Sequence, residues 1–123
     1  NKETSVCLYE IRYIWLIMNI FIAENRHLRK FFHQYAEHEV AIMNDLHERL
    51  PTLLTLHNGK IKSVPHGMYQ KHRVLEYKIV VAPDTAFRVA FTVADNIITV
   101  FFISDVLIKA HFCKLLAKTD LLD

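Results

Sequence analysis

Alternation of apolar and polar positions is clearest in the second half of the chain. Leu75, Tyr77, Ile79 and Val81 interleave with Val74, Glu76, Lys78 and Val80, the period of a half-buried strand. After a Pro83-Asp84 turn, Phe87, Val89, Phe91 and Val93 form the apolar face of a second strand, with Arg88, Ala90 and Thr92 on the other. Ala94-Asp95-Asn96-Ile97 then supplies a tight turn into Ile97 to Ile103, which is apolar on both faces and therefore reads as an interior strand. These three strands form a meander. The segment Val106 to Leu116 places Val106, Leu107, Ala110, Cys113 and Leu116 or Ala117 on one helical face, which predicts a closing helix.

The first half changes period. Asn25 is a fair N-cap for a helix carrying Leu28, Phe31, Phe32 and Tyr35, with Arg26, Arg29 and Lys30 between them. Val40, Met43, Leu46 and Leu50 continue at helical spacing until Pro51, which is expected to end the run. No strong breaker separates the two runs, yet a helical hairpin packs more compactly than one long helix. Pro51, Gly59, Pro65 and Gly67 mark residues 51–73 as loop-rich, with a short strand at Lys60 to Val64. The expected fold is α+β: an N-terminal strand beside the all-apolar one, a helical hairpin, an antiparallel β-meander and a C-terminal helix.

The most apolar stretch, Val6 to Ala23, has the minimum length of a membrane span but contains Glu10, Arg12 and Asn19, each costly near a bilayer centre. A secretory signal fits poorly, because Glu3 and Glu10 stand where a basic start belongs and no small-residue cleavage site follows. Met18 opens MNIFIAEN, which has the look of a protein start with a first strand. Residues 1–17 then read as an extension, and residues 18–123 as one domain with no membrane contact.

Composition fits that division. The chain has 123 residues, 52% of them apolar, with two glycines and three prolines, which leaves little for linkers or low-complexity tails. Cys7 and Cys113 are its two cysteines, too few for a disulfide scaffold and consistent with a reducing, cytoplasmic compartment. None of the eight histidines falls in a metal-ligand motif; His33 and Glu37 share a helix face, the arrangement of a solvated pair.

Charge is less even than the net +2 implies. Residues 60–78 carry Lys60, Lys62, Lys71, Arg73 and Lys78 against Glu76 alone, a net +4, whereas residues 18–59 and 79–123 are each slightly acidic. Such a segment, with Tyr69 and Tyr77 beside it, suits a phosphate backbone, since cations displace counterions and rings stack on bases. It also suits a solvated lysine-rich loop. An even-sum register of the first two meander strands places Lys78 opposite Arg88, two cations on one rigid face. The competing arrangement pairs Lys78 with Glu76 and Arg88 with a carboxylate on a packed helix.

The run YKIVVAPDTAFRVAFTVADNIITVFFIS resembles the C-terminal meander of the RelE/ParE toxin superfamily of bacterial toxin–antitoxin modules. Tyr77-Lys78-Ile79, Phe87-Arg88-Val89 and Ile97 to Ile103 are similar to its basic strand, its aromatic-Arg-aliphatic strand and its aliphatic strand. The order strand, helix, helix, strands, helix from Met18 agrees as well. The resemblance implies a cytoplasmic toxin neutralised by a cognate antitoxin, in a toxin–antitoxin hetero-oligomer. Its RelE-like branch implies a ribosome-dependent endoribonuclease that cuts mRNA with no metal or other cofactor. Lys78 and Arg88 then occupy catalytic positions, and Lys60, Lys62, Tyr69, Lys71 and Arg73 steer RNA. Two positions depart from the pattern: Val80 stands where a second lysine is expected, and Asp105 where a basic loop is expected, leaving Lys109 and His111 to substitute. A ParE-like toxin that binds DNA gyrase without nuclease residues, and a non-enzymatic protein with a basic binding face, are the two other readings.

Overall fold

A computed structural model describes residues 18–123 of the chain, so the expected extension 1–17 and most of the apolar stretch from Val6 lie outside the described residues. The elements are β1 (Asn19–Ile22), α1 (Arg26–Gln34), a 3-10 turn (Ala36–His38), α2 (Glu39–Leu56), β2 (Lys62–Tyr69), β3 (His72–Ala82), β4 (Thr85–Ala94), β5 (Ile97–Ser104) and α3 (Lys109–Ala117). The class is α+β. The five strands form one mixed sheet in the order β1-β5-β4-β3-β2, in which β1 runs parallel to β5 and the other neighbours are antiparallel. Among the described residues no helix is long and apolar enough to cross a membrane.

Period-two alternation explains the faces. Tyr77, Ile79, Phe87, Val89, Phe91, Ile98, Val100 and Ile103 cluster with Leu28 and Phe31 of α1 and Ile42, Leu46, Leu50 and Leu53 of α2. On the opposite face Val64, Val74, Ala90, Phe101 and Phe102 cluster with Phe112 and Leu116 of α3. A bulge makes the double-sided use of β5 possible: Ala90 faces Phe102 and Phe91 faces Val100, which leaves Phe101 without a cross-strand partner. That one residue puts Phe101 and Phe102 together on the α3 side while Val100 and Ile103 stay on the α1 and α2 side.

Asn25 caps α1 as expected, its side-chain oxygen accepting from the Leu28 N–H at 2.9 Å. Its amide nitrogen donates to the Phe101 carbonyl, also at 2.9 Å, so the cap anchors the helix start to β5. The 3-10 turn divides α1 from α2.

Three expectations are corrected. Pro51 does not end the second helix, which runs on to Leu56. Burial of Leu46, Leu50 and Leu53 on either side of the proline outweighs one lost backbone bond, and His57 in the left-handed region (φ 49°) provides the stop. Residues 51–73 are not mainly loop: Pro51 lies in α2, and Pro65 and Gly67 lie inside β2, which is longer than Lys60 to Val64 and pairs irregularly with β3 between Ser63 and Met68. An edge strand with a bulge tolerates a proline. Gly67 is required there because a Cβ would sit 2.9 Å from the Val64 side chain and 3.2 Å from that of Val74. The third correction is that α3 starts at Lys109, leaving Leu107 and Ile108 exposed and making Phe112 and Leu116 its buried residues. Arg88 holds the Leu107 carbonyl, and Ile108 is extended, so the helix begins after them.

Candidate functional site

Register brings the sequence's basic residues to the sheet face that α3 covers in part. Lys62 faces Glu76 across β2 and β3, Lys78 faces Arg88 across β3 and β4, and Arg88 faces Ser104 across β4 and β5. Directly opposed residues share a face, so Lys62, Glu76, Lys78, Arg88 and Ser104 lie together. The expected Lys78 to Arg88 opposition is present.

Their partners differ from both arrangements read from the sequence. Glu76 is fully buried and takes Arg88, not Lys78: Arg88 Nη1 donates to Glu76 Oε2. Arg88 Nε donates to the Leu107 carbonyl at 2.9 Å, and its side chain is only 15% exposed. A planar, weakly hydrated guanidinium suits such a site better than an ammonium does. The pair is therefore neutral as a unit, and Arg88 ties the Ser104 to Ile108 connection down onto the sheet. Glu76 Oε1 has no hydrogen-bond partner among the described residues.

Lys78 and Lys62 are the unpaired cations of this face among the described residues. The Lys78 side chain is exposed. Its backbone is held from behind, where Arg49 Nη2 donates to the Lys78 carbonyl at 2.6 Å. Arg49 Nε also donates to Asp45 at 2.9 Å, its guanidinium lies 5.4 Å from the Tyr77 ring centre, and the Tyr77 hydroxyl donates to Asp45 at 2.9 Å. Burial, followed by the Asp45 charge, pushes the Tyr77 phenol far above its ordinary value. A hydrogen-bonded network thus backs an exposed ammonium.

From α3, Lys109 is half-buried and His111 is exposed. The Cys113 thiol is half-buried, and its pKa is pushed up by desolvation foremost, with Lys109 opposing, Glu76 reinforcing and Arg88 opposing. It sits within the field of the buried pair as a neutral thiol, not an activated nucleophile.

The two tyrosines expected beside the RNA are not available to bases. Tyr69 stacks on Phe101 at 3.9 Å with the rings 4° from parallel, and Tyr77 is fully buried. Pairing also spreads out the basic segment. Lys78 lies toward the open end of the β2-β3 hairpin and Lys71 at its closed tip, about 20 Å away at the usual strand rise, with Lys62, opposite Glu76, and Arg73 between them about 10 Å apart. Lys60, Lys62, Lys71 and Arg73 are all exposed.

Sequence reasoning missed one contact altogether. At the hairpin tip Gln70 and Lys71 both have positive φ, 48° and 69°, and their N–H groups donate to the two carboxylate oxygens of Asp123 at 2.8 and 2.7 Å. No local pattern announces a partner more than 50 positions away. No family model matches the chain, and neither a curated protein nor a solved structure matches it.

Proposed function

We propose that this chain is a RelE/ParE-like toxin, a ribosome-dependent mRNA endoribonuclease held in check by a cognate antitoxin. The observation that carries the reading is the exposed, unpaired Lys78 placed directly opposite Arg88 on a braced sheet face. The element order, a strand, two helices, antiparallel strands and a last helix, supports it further.

Lys62 and Lys78 draw in the phosphate backbone, and Lys78 balances the charge that develops as the ribose 2′-oxygen bonds to phosphorus and the 5′-oxygen leaves. The 2′-hydroxyl proton passes to solvent water and a water proton returns to the departing 5′-oxygen, since His111 is exposed on α3 about 200° of helix turn from Lys109 and from Cys113, which lies in the field of the buried pair. Arg88, spent on Glu76 and Leu107, is a positioning residue in this scheme.

A second reading, a gyrase-binding toxin without nuclease activity, draws on Val80. It is 58% exposed two residues beyond Lys78, where the resemblance places a second lysine. Expression in bacteria separates the two: rapid mRNA cleavage supports the first and an SOS response the second. Absence of toxicity overturns both and leaves a non-enzymatic binding protein. Within the nuclease reading, Lys78→Ala should lower cleavage by roughly 100-fold with the fold intact, and unchanged cleavage removes Lys78 from the site.

A further inference from the structure

The tip of the β2-β3 hairpin has the construction of an anion receptor. Two consecutive residues with positive φ turn their N–H groups to the same side, and both donate to one carboxylate, that of Asp123. Turns of this kind favour Asn-Gly or Gly-Gly, because a side chain is strained in the left-handed region, yet here the residues are Gln70 and Lys71. The resident carboxylate therefore takes part in holding the turn.

The surroundings are cationic. Lys71 is one of the two donors, and His72 and Arg73 follow it. Neither Lys71 nor Arg73 has an ion pair among the described residues. Arg73, opposite Met68, points to the other sheet face, whereas His72, opposite Tyr69, shares the α3 side with Leu121 and Leu122. The unpaired Lys71 ammonium on a bidentate anion fork matches a phosphate group, which presents two oxygens as a carboxylate does and carries more charge.

Asp123 reaches the turn on a strap. After α3, Asp120 meets His27 at 3.1 Å and Arg26 at 3.7 Å, Leu121 and Leu122 pack on the α3-side core, and the Asp123 N–H donates to the Met68 carbonyl at 2.9 Å. Its carboxylate is exposed and lies outside the ladder that pairs β2 with β3.

We propose that the Gln70-Lys71 turn, with the Lys71 ammonium, is a phosphate-binding site that Asp123 occupies in cis. The inference is independent of the nuclease reading. A free phosphate and the phosphodiester of a nucleic acid offer the same chemistry to this turn. Backbone amide NMR on the full chain tests it, with inorganic phosphate and a short single-stranded oligoribonucleotide as probes. In Asp123→Ala the Gln70 and Lys71 amides should respond saturably to phosphate at least tenfold more tightly than in the unaltered chain, and Lys71→Gln in that background should weaken the response. A markedly lower half-saturating concentration for the oligonucleotide assigns a phosphodiester ligand; equal response per phosphate assigns a free one. No response in Asp123→Ala to either probe, or equal response with and without Asp123, overturns the proposal. Should Asp123→Ala disorder the turn, saturating phosphate must restore the two amides, and failure to do so overturns it equally.

Discussion

The two faces of the sheet bury apolar side chains to different ends, more of them beneath α1 and α2 than beneath α3. Beneath α1 and α2 the face is aliphatic and aromatic throughout, and its polar group, the Tyr77 hydroxyl, is satisfied by Asp45. Beneath α3 the face is apolar around Phe101, Phe102 and Phe112, but it carries a buried ion pair and an exposed lysine beyond the helix. The first arrangement is what stability alone requires. The second places charged groups in a dry setting, where they cost desolvation and where a removed partner is felt most.

That contrast can be broken from either side. Arg88→Ala leaves the Glu76 carboxylate buried without its cation and should cost about 4 kcal/mol in urea unfolding. Replacing both residues by leucine should recover most of the loss, since the pair as a unit contributes little net stability. Loss of toxicity in Arg88→Ala alone is therefore uninformative until its folding has been measured. Leu46→Ala, on the all-apolar face, should cost about 3 kcal/mol through lost burial and a cavity, with no recovery available from any second polar change. Tyr77→Phe should cost about 1 kcal/mol by removing the hydroxyl that Asp45 accepts.

Tyr77 also gives the comparison a pH signature. Its folded-state pKa lies above the ordinary value of 10.0, so the neutral phenol's contribution is complete below that value and is lost as pH rises beyond it. Unfolding titrations should show alkaline destabilisation that Tyr77→Phe makes shallower. The smallest expected effect is on the acid side. The His27 hydrogen bond holds the Asp120 carboxyl below its ordinary 3.8, so its contribution is present above that value and fades as pH falls through the lowered one. Asp120→Asn should flatten that limb of the titration. Lys78→Ala should leave stability within about 0.5 kcal/mol of the parent, which makes it the clean probe of function.

How much of this was legible depended on the range of the interaction. The meander announced itself because alternation is local: Leu75 to Val81 and Phe87 to Val93 carry their faces in their own sequence, and the Asp95-Asn96 turn has the positive φ its residues tolerate. Asn25 was readable as a cap for the same reason. Pro51 misled because a local breaker was outvoted by leucines packed against a sheet not yet formed in sequence. β2 was underread because Pro65 and Gly67 serve a bulge whose need arises from Val74, on another strand. At the site, sharing of a face by Lys78 and Arg88 followed from register parity. Which cation Glu76 would take did not, because that choice depends on burial and on a carbonyl from the Leu107 connection.

The bulge in β5 has a consequence for how the molecule is held together. Phe101 is supernumerary to the ladder: deleting it would leave Ala90 opposite Phe102 and Arg88 opposite Ser104, with every other partnership of the strand unchanged. Yet its carbonyl receives the Asn25 side chain at the head of α1, and its ring receives Tyr69 from the hairpin that ends at the anion-holding turn. The residue that strand pairing could dispense with is the shared fastening point between the first helix and the outermost hairpin.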